Sequence, residues 1–130
     1  MFGFGKLTRE KVAKQVLQGD YSGKELNGLD LSGLHFVQTR FNKASLREVN
    51  ASGASFIQCE FAGADLTSAN LAGATFNSCE LQGAQLQNAN VQGTQFLASN
   101  LERAKLDAAR GQASFLACEG IEEGAAAGDE

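Results

Sequence analysis

The chain has 130 residues, 15 of them glycine and none proline, and its formal net charge is −4. This length suits one domain with one core. Acidic and basic residues are interspersed, which disfavours a basic nucleic-acid-binding face, and no apolar run approaches the roughly 18 residues of a membrane span. We therefore expect a cytoplasmic protein that binds no nucleic acid and does not cross a membrane.

Residues 1–20 are predicted to form an N-terminal segment with a short capping α-helix. Thr8 is the expected N-cap, and Gly19 is expected to end the helix. Between them lies a one-sided apolar stripe of Val12, Val16 and Leu17. We expect this stripe to cover the open end of the domain that comes next. The alternative is that the basic opposite face rests on an anionic membrane surface.

Residues 21–121 carry an apolar side chain, mostly Leu or Phe, at nearly every fifth position. Five matches neither the period of a helix nor that of an ordinary strand, so the chain must coil. In rows of twenty, these residues sort into four columns, which gives each coil four sides. The sequence thus predicts an all-β solenoid of about five coils, stacked about 4.8 Å apart. Its predicted core is Leu26, Leu31, Phe36, Phe41, Leu46, Phe56, Phe61, Leu66, Leu71, Phe76, Leu81, Leu86, Val91, Phe96, Leu101, Leu106 and Phe115.

The register changes once, near the end of the repeats. Phe115 follows Phe96 by nineteen residues instead of twenty, which predicts a one-residue deletion near Ala109–Gln112. The alternative is that Leu101–Arg110, rich in helix formers, leaves the coil as a short helix. The segment Ala54–Glu60 recurs at 74–80 and 113–119, and this recurrence favours a continued coil.

Several five-residue units point to a known family. Ala64-Asp65-Leu66-Thr67-Ser68, Ala69-Asn70-Leu71-Ala72-Gly73 and Ala89-Asn90-Val91-Gln92-Gly93 resemble the Ala-(Asp/Asn)-Leu-x-x unit of the pentapeptide repeat proteins. The resemblance covers residues 21–121. It implies a right-handed quadrilateral β-helix in which the Leu or Phe and the small residue two positions earlier point inward.

The carboxyl-terminal residues, 122–130, form an acidic tail with little to bury, and we expect it to be disordered. Ile121 would then be the last inward residue, and the final coil would lack a cover from its own chain. Because several members of the family pair end to end there, the resemblance implies a homodimer through the C-terminal coil.

No residue pattern predicts catalysis, a cofactor or a metal. Cys59, Cys79 and Cys118 share a small inward column with Thr39 and Ser99, and they lack metal-ligand spacing, so we interpret them as core residues. A disulfide between coils is disfavoured in a cytoplasmic chain. The single histidine, His35, is expected to face outward without a nucleophile nearby. We expect a non-enzymatic protein without catalytic, cofactor-binding or metal-binding residues.

Two outward columns stand out. Asp30, Asn50, Asn70 and Asn90 are expected to form a side-chain ladder. The second column, which we call the aliphatic ridge, comes just after the third-side phenylalanines and is interrupted only by Asn77: Val37, Ile57, Leu97 and Leu116. An aligned apolar strip is a candidate protein-binding site. The alternative is that such residues simply favour strands and carry no function.

Three functional hypotheses remain. The first is a bacterial interaction scaffold that presents flat β-helix faces to a protein partner of unknown identity. The second, implied by the family resemblance, is action on DNA gyrase or another topoisomerase by DNA mimicry or quinolone protection. Interspersed basic residues such as Arg47 and Arg103 disfavour it, because a mimic needs a continuous acidic face. The third, also implied by the family, is an accessory of a bacterial secretion or effector system.

Overall fold

A computed structural model describes residues 6–121 as a parallel β-solenoid behind one short helix. The elements are α1 (Arg9–Ala13), β1 (His35–Val37), β2 (Ser55–Ile57), β3 (Thr75–Asn77), β4 (Gln95–Leu97) and β5 (Ser114–Leu116). The strands form one sheet in the order β1-β2-β3-β4-β5, with about four turns of chain from first to last. Isolated parallel bridges link residues twenty apart on the other sides, as between Glu25 and Ser45 and between Asp30 and Asn50. The predicted four-sided solenoid is confirmed.

The inward side chains fill the solenoid in vertical columns. The rings of Phe36, Phe56, Phe76, Phe96 and Phe115 stack with centroids 4.8–5.1 Å apart. Every residue expected in the core from Leu26 to Leu101 is buried. Leu106 and Phe115, also expected there, are only half-buried, because no later coil within residues 6–121 covers them.

The chain continues to coil through its last corner. Lys105 and Arg110 bridge to Gln85 and Asn90, so the alternative of a helix over Leu101–Arg110 is wrong. Phe96 pairs with Phe115, which confirms the shortened step. Gly111 lies at this corner with φ +98°, and a Cβ there would approach the Gln92 backbone to 2.7 Å.

The N-terminal helix is shorter than the sequence predicts. The Thr8 hydroxyl accepts the Lys11 N–H at 3.2 Å as expected of an N-cap, and Val12 is fully buried, but α1 ends at Ala13. The assignment of Leu17 to a helical stripe is wrong, because Leu17 pairs with Val37 in parallel β fashion. Solenoid pairing therefore begins before residue 21.

Gly19 does not end the helix. It is buried, and a Cβ there would lie 2.6 Å from the carbonyl oxygen of Gln15. Its role is therefore to let two backbone segments approach closely.

Arg9 closes the first coil from above. Its Nη1 donates to the carbonyl oxygens of Asp30 at 2.9 Å and Ser32 at 3.0 Å. In the next coil the corresponding carbonyls accept backbone N–H groups from the coil above, as where Leu31 donates to Asn50 at 2.7 Å. The Arg9 guanidinium thus supplies the hydrogen bonds that backbone N–H groups of a preceding coil supply elsewhere in the solenoid.

Residues 1–5 and the tail over 122–130, whose disorder the sequence predicts, lie outside the described residues. Within residues 6–121, no helix combines the length and the apolar character needed to cross a bilayer.

Candidate protein-interaction face

The aliphatic ridge occupies the outer side of the five-stranded sheet. Val37, Ile57 and Leu97 are the last residues of β1, β2 and β4, and Leu116 ends β5. The strand register pairs each with the residue above and below it, with Asn77 of β3 between Ile57 and Leu97. The ridge is therefore one straight column along the solenoid, with Asn77 as its single polar position among β1 to β5.

Leu17 extends this column by one coil at its top. It bridges to Val37, and its side chain is 67% exposed. Sequence reasoning placed Leu17 on the helix, although its position twenty residues before Val37 was a signal that could have found it. Within residues 6–121, the large hydrophobic side chains that stay exposed are Leu17, Ile57 (38%) and Leu116 (66%), and all three lie on the ridge. Their alignment argues against random scatter.

The sheet surface around the ridge carries no formal charge. We define the strand face as the outward residues of β1 to β5 together with the residue after each strand. Its members are His35, Val37, Gln38, Ser55, Ile57, Gln58, Thr75, Asn77, Ser78, Gln95, Leu97, Ala98, Ser114, Leu116 and Ala117. None of these residues is Asp, Glu, Lys or Arg.

The other sides of the solenoid do carry charged groups. On one of them Arg40 lies between Asp20, at 4.0 Å, and Glu60, at 3.9 Å. On another, Arg47 lies 3.5 Å from Asp65. Within residues 6–121, the side with the Asn50, Asn70 and Asn90 column carries charge only at its two ends, at Asp30 and Arg110, and the strand face differs from it by its apolar ridge.

The turns after the strands keep this face flat and narrow. The residue directly after each strand has a left-handed backbone conformation, with φ between 50° and 59° at Gln38, Gln58, Ser78, Ala98 and Ala117. Such a residue turns the chain sharply, so each strand ends after three residues. A flat strip with an apolar centre results, and depressions lie at its edge, beside Gln38 and Gln58 and beside Ala98 and Ala117.

Behind the strand face, small polar side chains hold neighbouring coils together. Cys79 Sγ lies 3.2 Å from the carbonyl oxygen of Phe56, and Cys118 Sγ lies 3.1 Å from that of Phe96. Ser99 makes the equivalent bond to Phe76 at 3.3 Å. Sequence reasoning expected small core residues here but missed that they donate to carbonyls of the preceding coil.

The thiols have the chemistry of buried donors. Cys59, Cys79 and Cys118 are free thiols, and the first two are buried. A hydrogen bond with the Cys59 thiol, together with burial, raises the pKa of Cys79, so this thiol stays protonated and donates. In the described part of the chain, no group of three or more His, Cys, Asp or Glu residues is placed to hold a metal ion.

The predicted side-chain ladder is present on another side from Asn50 to Asn90. Asp30, which was expected to belong to it, instead accepts from the Ser32 hydroxyl at 2.6 Å and pairs with Arg9. Asn70 donates its amide to Asn50 at 3.4 Å, and Asn90 donates to Asn70 at 3.3 Å. Each side-chain oxygen also accepts the backbone N–H two residues later, for example Asn70 from Ala72 at 3.1 Å. Because the oxygens of all three asparagines and the NH2 groups of Asn70 and Asn90 are used within the solenoid, this column is part of the scaffold.

Comparisons with known proteins agree with this architecture. A family model described as "Pentapeptide repeat region" matches residues 25–106. The solved pentapeptide repeat protein Rfr23 from the cyanobacterium Cyanothece 51142 is similar with a TM-score of 0.62 and 16% identity, over 85% of this chain and 90% of that one. A search of curated proteins finds no match.

Two further solved structures are similar over part of their length. QnrB1, a plasmid-mediated fluoroquinolone resistance protein, has a TM-score of 0.60 and 23% identity over 71% of this chain. This chain spans only 48% of QnrB1, about half its length. A pentapeptide repeat protein from the Arabidopsis thaliana thylakoid lumen is 33% identical over 75% of this chain and 62% of that one, with a TM-score of 0.36.

Proposed function

The chain belongs to the pentapeptide repeat family, and on that premise we propose that it is a non-enzymatic bacterial scaffold that binds a protein partner through the strand face. The observation that carries this proposal is that Leu17, Ile57 and Leu116, the exposed large hydrophobic residues within residues 6–121, lie in one column along the strand face. The partly buried Val37 and Leu97 lie between them. We place its work in the cytoplasm, in keeping with its free thiols.

The energetics of the strand face support binding. Burying an apolar side chain contributes about 1.5–3 kcal/mol, and Leu17 and Leu116 each leave about two-thirds of their surface in water. No charged group of this face has to be desolvated when a partner covers it. The backbone is already fixed by hydrogen bonds between coils, so binding costs little further ordering.

The chemistry of the described residues supports a role without catalysis. The carboxylates lie on outer sides, several of them in ion pairs with arginines, as Asp65 is with Arg47. His35 is exposed on the strand face, and the buried Cys79 thiol is held protonated. Catalytic groups usually lie in a cleft, whereas these carboxylates and His35 lie on outward surfaces and Cys79 is enclosed in the core.

Affinity capture from the native host tests the proposal. The ridge variant Ile57→Asp/Leu97→Asp should lose the partner that the wild-type chain retains. The matched control Ser68→Asp/Asn88→Asp adds the same two charges at exposed positions on another side and should keep it. Thermal unfolding would verify that both variants fold. A partner held equally by the ridge variant and by wild type would contradict the proposal.

Action on a topoisomerase is the alternative function. The paired charges of Arg40 and Arg47 interrupt the acidic residues, whereas a DNA mimic needs a continuous acidic face. A supercoiling assay with and without a fluoroquinolone tests this alternative, and no effect at micromolar protein would remove it. A role as accessory of a secretion or effector system is the third candidate, and the same capture experiment would identify it by its partner.

We further propose that the C-terminal coil pairs with a second copy of the chain. Leu106, Phe115 and Ile121 are half-buried there, and the Phe115 ring stacks on Phe96 on one side at 5.0 Å. Ile121→Asp should weaken the association of the chain in sedimentation velocity, because it adds a charge to this end. A wild-type chain that stays monomeric at about 100 µM, a concentration at which weak interfaces form, would contradict this contact.

A further inference from the structure

We propose that the strand face binds a second copy of this chain, ridge against ridge, with the two solenoid axes parallel. This inference rests on the proposed function, because it treats the strand face as a protein-binding surface. It uses a different surface from the C-terminal coil, so the two contacts are separable by experiment.

The absence of charge favours a second copy. A two-fold symmetric contact places a surface against the same surface of the second copy. Charged groups of one sign on that surface would then approach each other and repel. The strand face has no such group among its described members. The side that contains Glu60 and Glu80, which are paired neighbours one coil apart, would bring carboxylates together. The strand face is therefore the side best suited to meet itself.

The spacing of the ridge also favours a second copy. Neighbouring coils repeat at about 4.8 Å, and an identical chain repeats at the same distance. An α-helix laid along the ridge repeats at about 5.4 Å and would drift by roughly 3 Å over the five steps from Leu17 to Leu116. Flat sheets also pack face to face about 10 Å apart, which suits the strand faces of two copies.

Asn77 selects the parallel arrangement. With parallel axes each ridge residue meets its own copy, and the two Asn77 amides can hydrogen-bond to each other. With antiparallel axes and all levels overlapping, Asn77 would face Ile57 of the second copy, and a buried amide without a partner costs about 1–3 kcal/mol. Shifting the antiparallel copy by one coil would pair the two Asn77 amides, but it would leave Leu17, the most exposed residue of the column, without a counterpart. A buried Asn fixes register in coiled coils for the same reason.

The size of the strip predicts a weak dimer. It is three residues wide and about five coil steps tall, or roughly 10 by 24 Å. This footprint is well below the roughly 800 Å² per partner of a standard interface. We therefore expect a dissociation constant of the order of 100 µM, and the experiment must reach high protein concentration.

Charge exchange at Leu97 tests the arrangement. All proteins carry Ile121→Asp, so that the C-terminal coil does not contribute to association. Sedimentation equilibrium from about 10 µM to about 1 mM should show a dimer for this parent. Leu97→Glu and Leu97→Lys should each weaken it at least tenfold, since like charges meet, and an equal mixture of the two should restore it. The controls Asn88→Glu and Asn88→Lys, at an exposed position on another side, should leave association unchanged.

Each result decides the inference. Restoration in the mixture supports the parallel dimer, because antiparallel axes would put the two residues at position 97 about two or three coil steps apart, or roughly 10–14 Å. A parent that stays monomeric at 1 mM, or a dimer that the Leu97 variants do not weaken, overturns it. So does a dimer that the mixture fails to restore. The proposed function is judged separately, since a ridge-dependent partner in the capture experiment would support it even if the parent is monomeric.

Discussion

Replacing Arg9 tests whether one side chain closes the upper end of the solenoid. Arg9→Met keeps most of the alkyl chain but removes the donor to the carbonyl oxygens of Asp30 and Ser32. Both carbonyls would then lose the partner that takes the place of a missing coil. We expect the first coil to be destabilised, together with the packing of α1 on it.

The magnitude is set by the contacts. A hydrogen bond from a charged donor contributes about 1.5–3 kcal/mol, but a single nitrogen makes both bonds and the Arg9 side chain is 43% exposed. Solvent can partly replace the lost donor, so the free energy of unfolding should fall by about 1–1.5 kcal/mol. The ion pair of Arg9 with the Asp30 carboxylate, at 3.5 Å, is exposed and should add little.

Urea denaturation measures this effect. The wild type is compared with Arg9→Met, Asp30→Asn and the double variant, with Lys14→Met as a control that removes a nearby exposed charge. The loss in Arg9→Met should persist in the Asp30→Asn background, because the carbonyl contacts do not involve that carboxylate. If Arg9→Met is no less stable than Lys14→Met, or if its effect vanishes in the double variant, the capping argument is wrong.

Three further predictions concern single positions. Gly111→Ala should lower the free energy of unfolding by at least about 2 kcal/mol in thermal melts, because its Cβ would overlap the neighbouring coil. The control Gly23→Ala also places alanine at a positive φ but has open space around its Cβ, so it should lower the free energy of unfolding by only about 1 kcal/mol. Thr94→Val removes a buried hydroxyl that donates to a carbonyl at 2.6 Å and should cost about 1 kcal/mol by urea denaturation, whereas an unchanged midpoint would refute the bond's contribution. Hydrogen bonds from the Ser32 side chain and backbone lower the pKa of Asp30 below its ordinary value, so this group stabilises the fold above about pH 4 and the benefit disappears as the pH falls through the folded pKa. Asp30→Asn should therefore flatten the acid side of the stability profile, and an identical acid profile would contradict this.

The repeat made most of the fold readable from the sequence. A strict step of twenty assigned each inward residue to a column, and the recurrence of Ala54–Glu60 located the shortened corner before Phe115. Leu106 and Phe115 were expected to be buried like their column mates. Their partial exposure arises because they lie at the lower end of the described solenoid, and periodicity does not encode how an end is covered.

The upper end was harder to predict because two patterns overlap there. Val12, Val16 and Leu17 fit a helical stripe, yet Leu17 also lies one step of twenty before Val37, and the β pairing prevailed. The helical spacing obscured the twenty-residue repeat at Leu17, and the predicted aliphatic ridge therefore lacked this residue. The role of Arg9 was not readable at all, since its partners are backbone atoms 21 and 23 residues away whose position depends on how α1 docks.

The backbone ladder between coils gives the molecule an unusual tolerance of size. Ser55, Thr75 and Gln95 occupy the same place on successive levels, each bonded to the level beside it. Excising or duplicating a segment of twenty residues would leave every other side chain on its original side and change only the height of the rod. Genetic recombination can therefore lengthen or shorten such a protein by one complete coil at a time. A globular domain with interlocking elements does not tolerate insertions and deletions of this size.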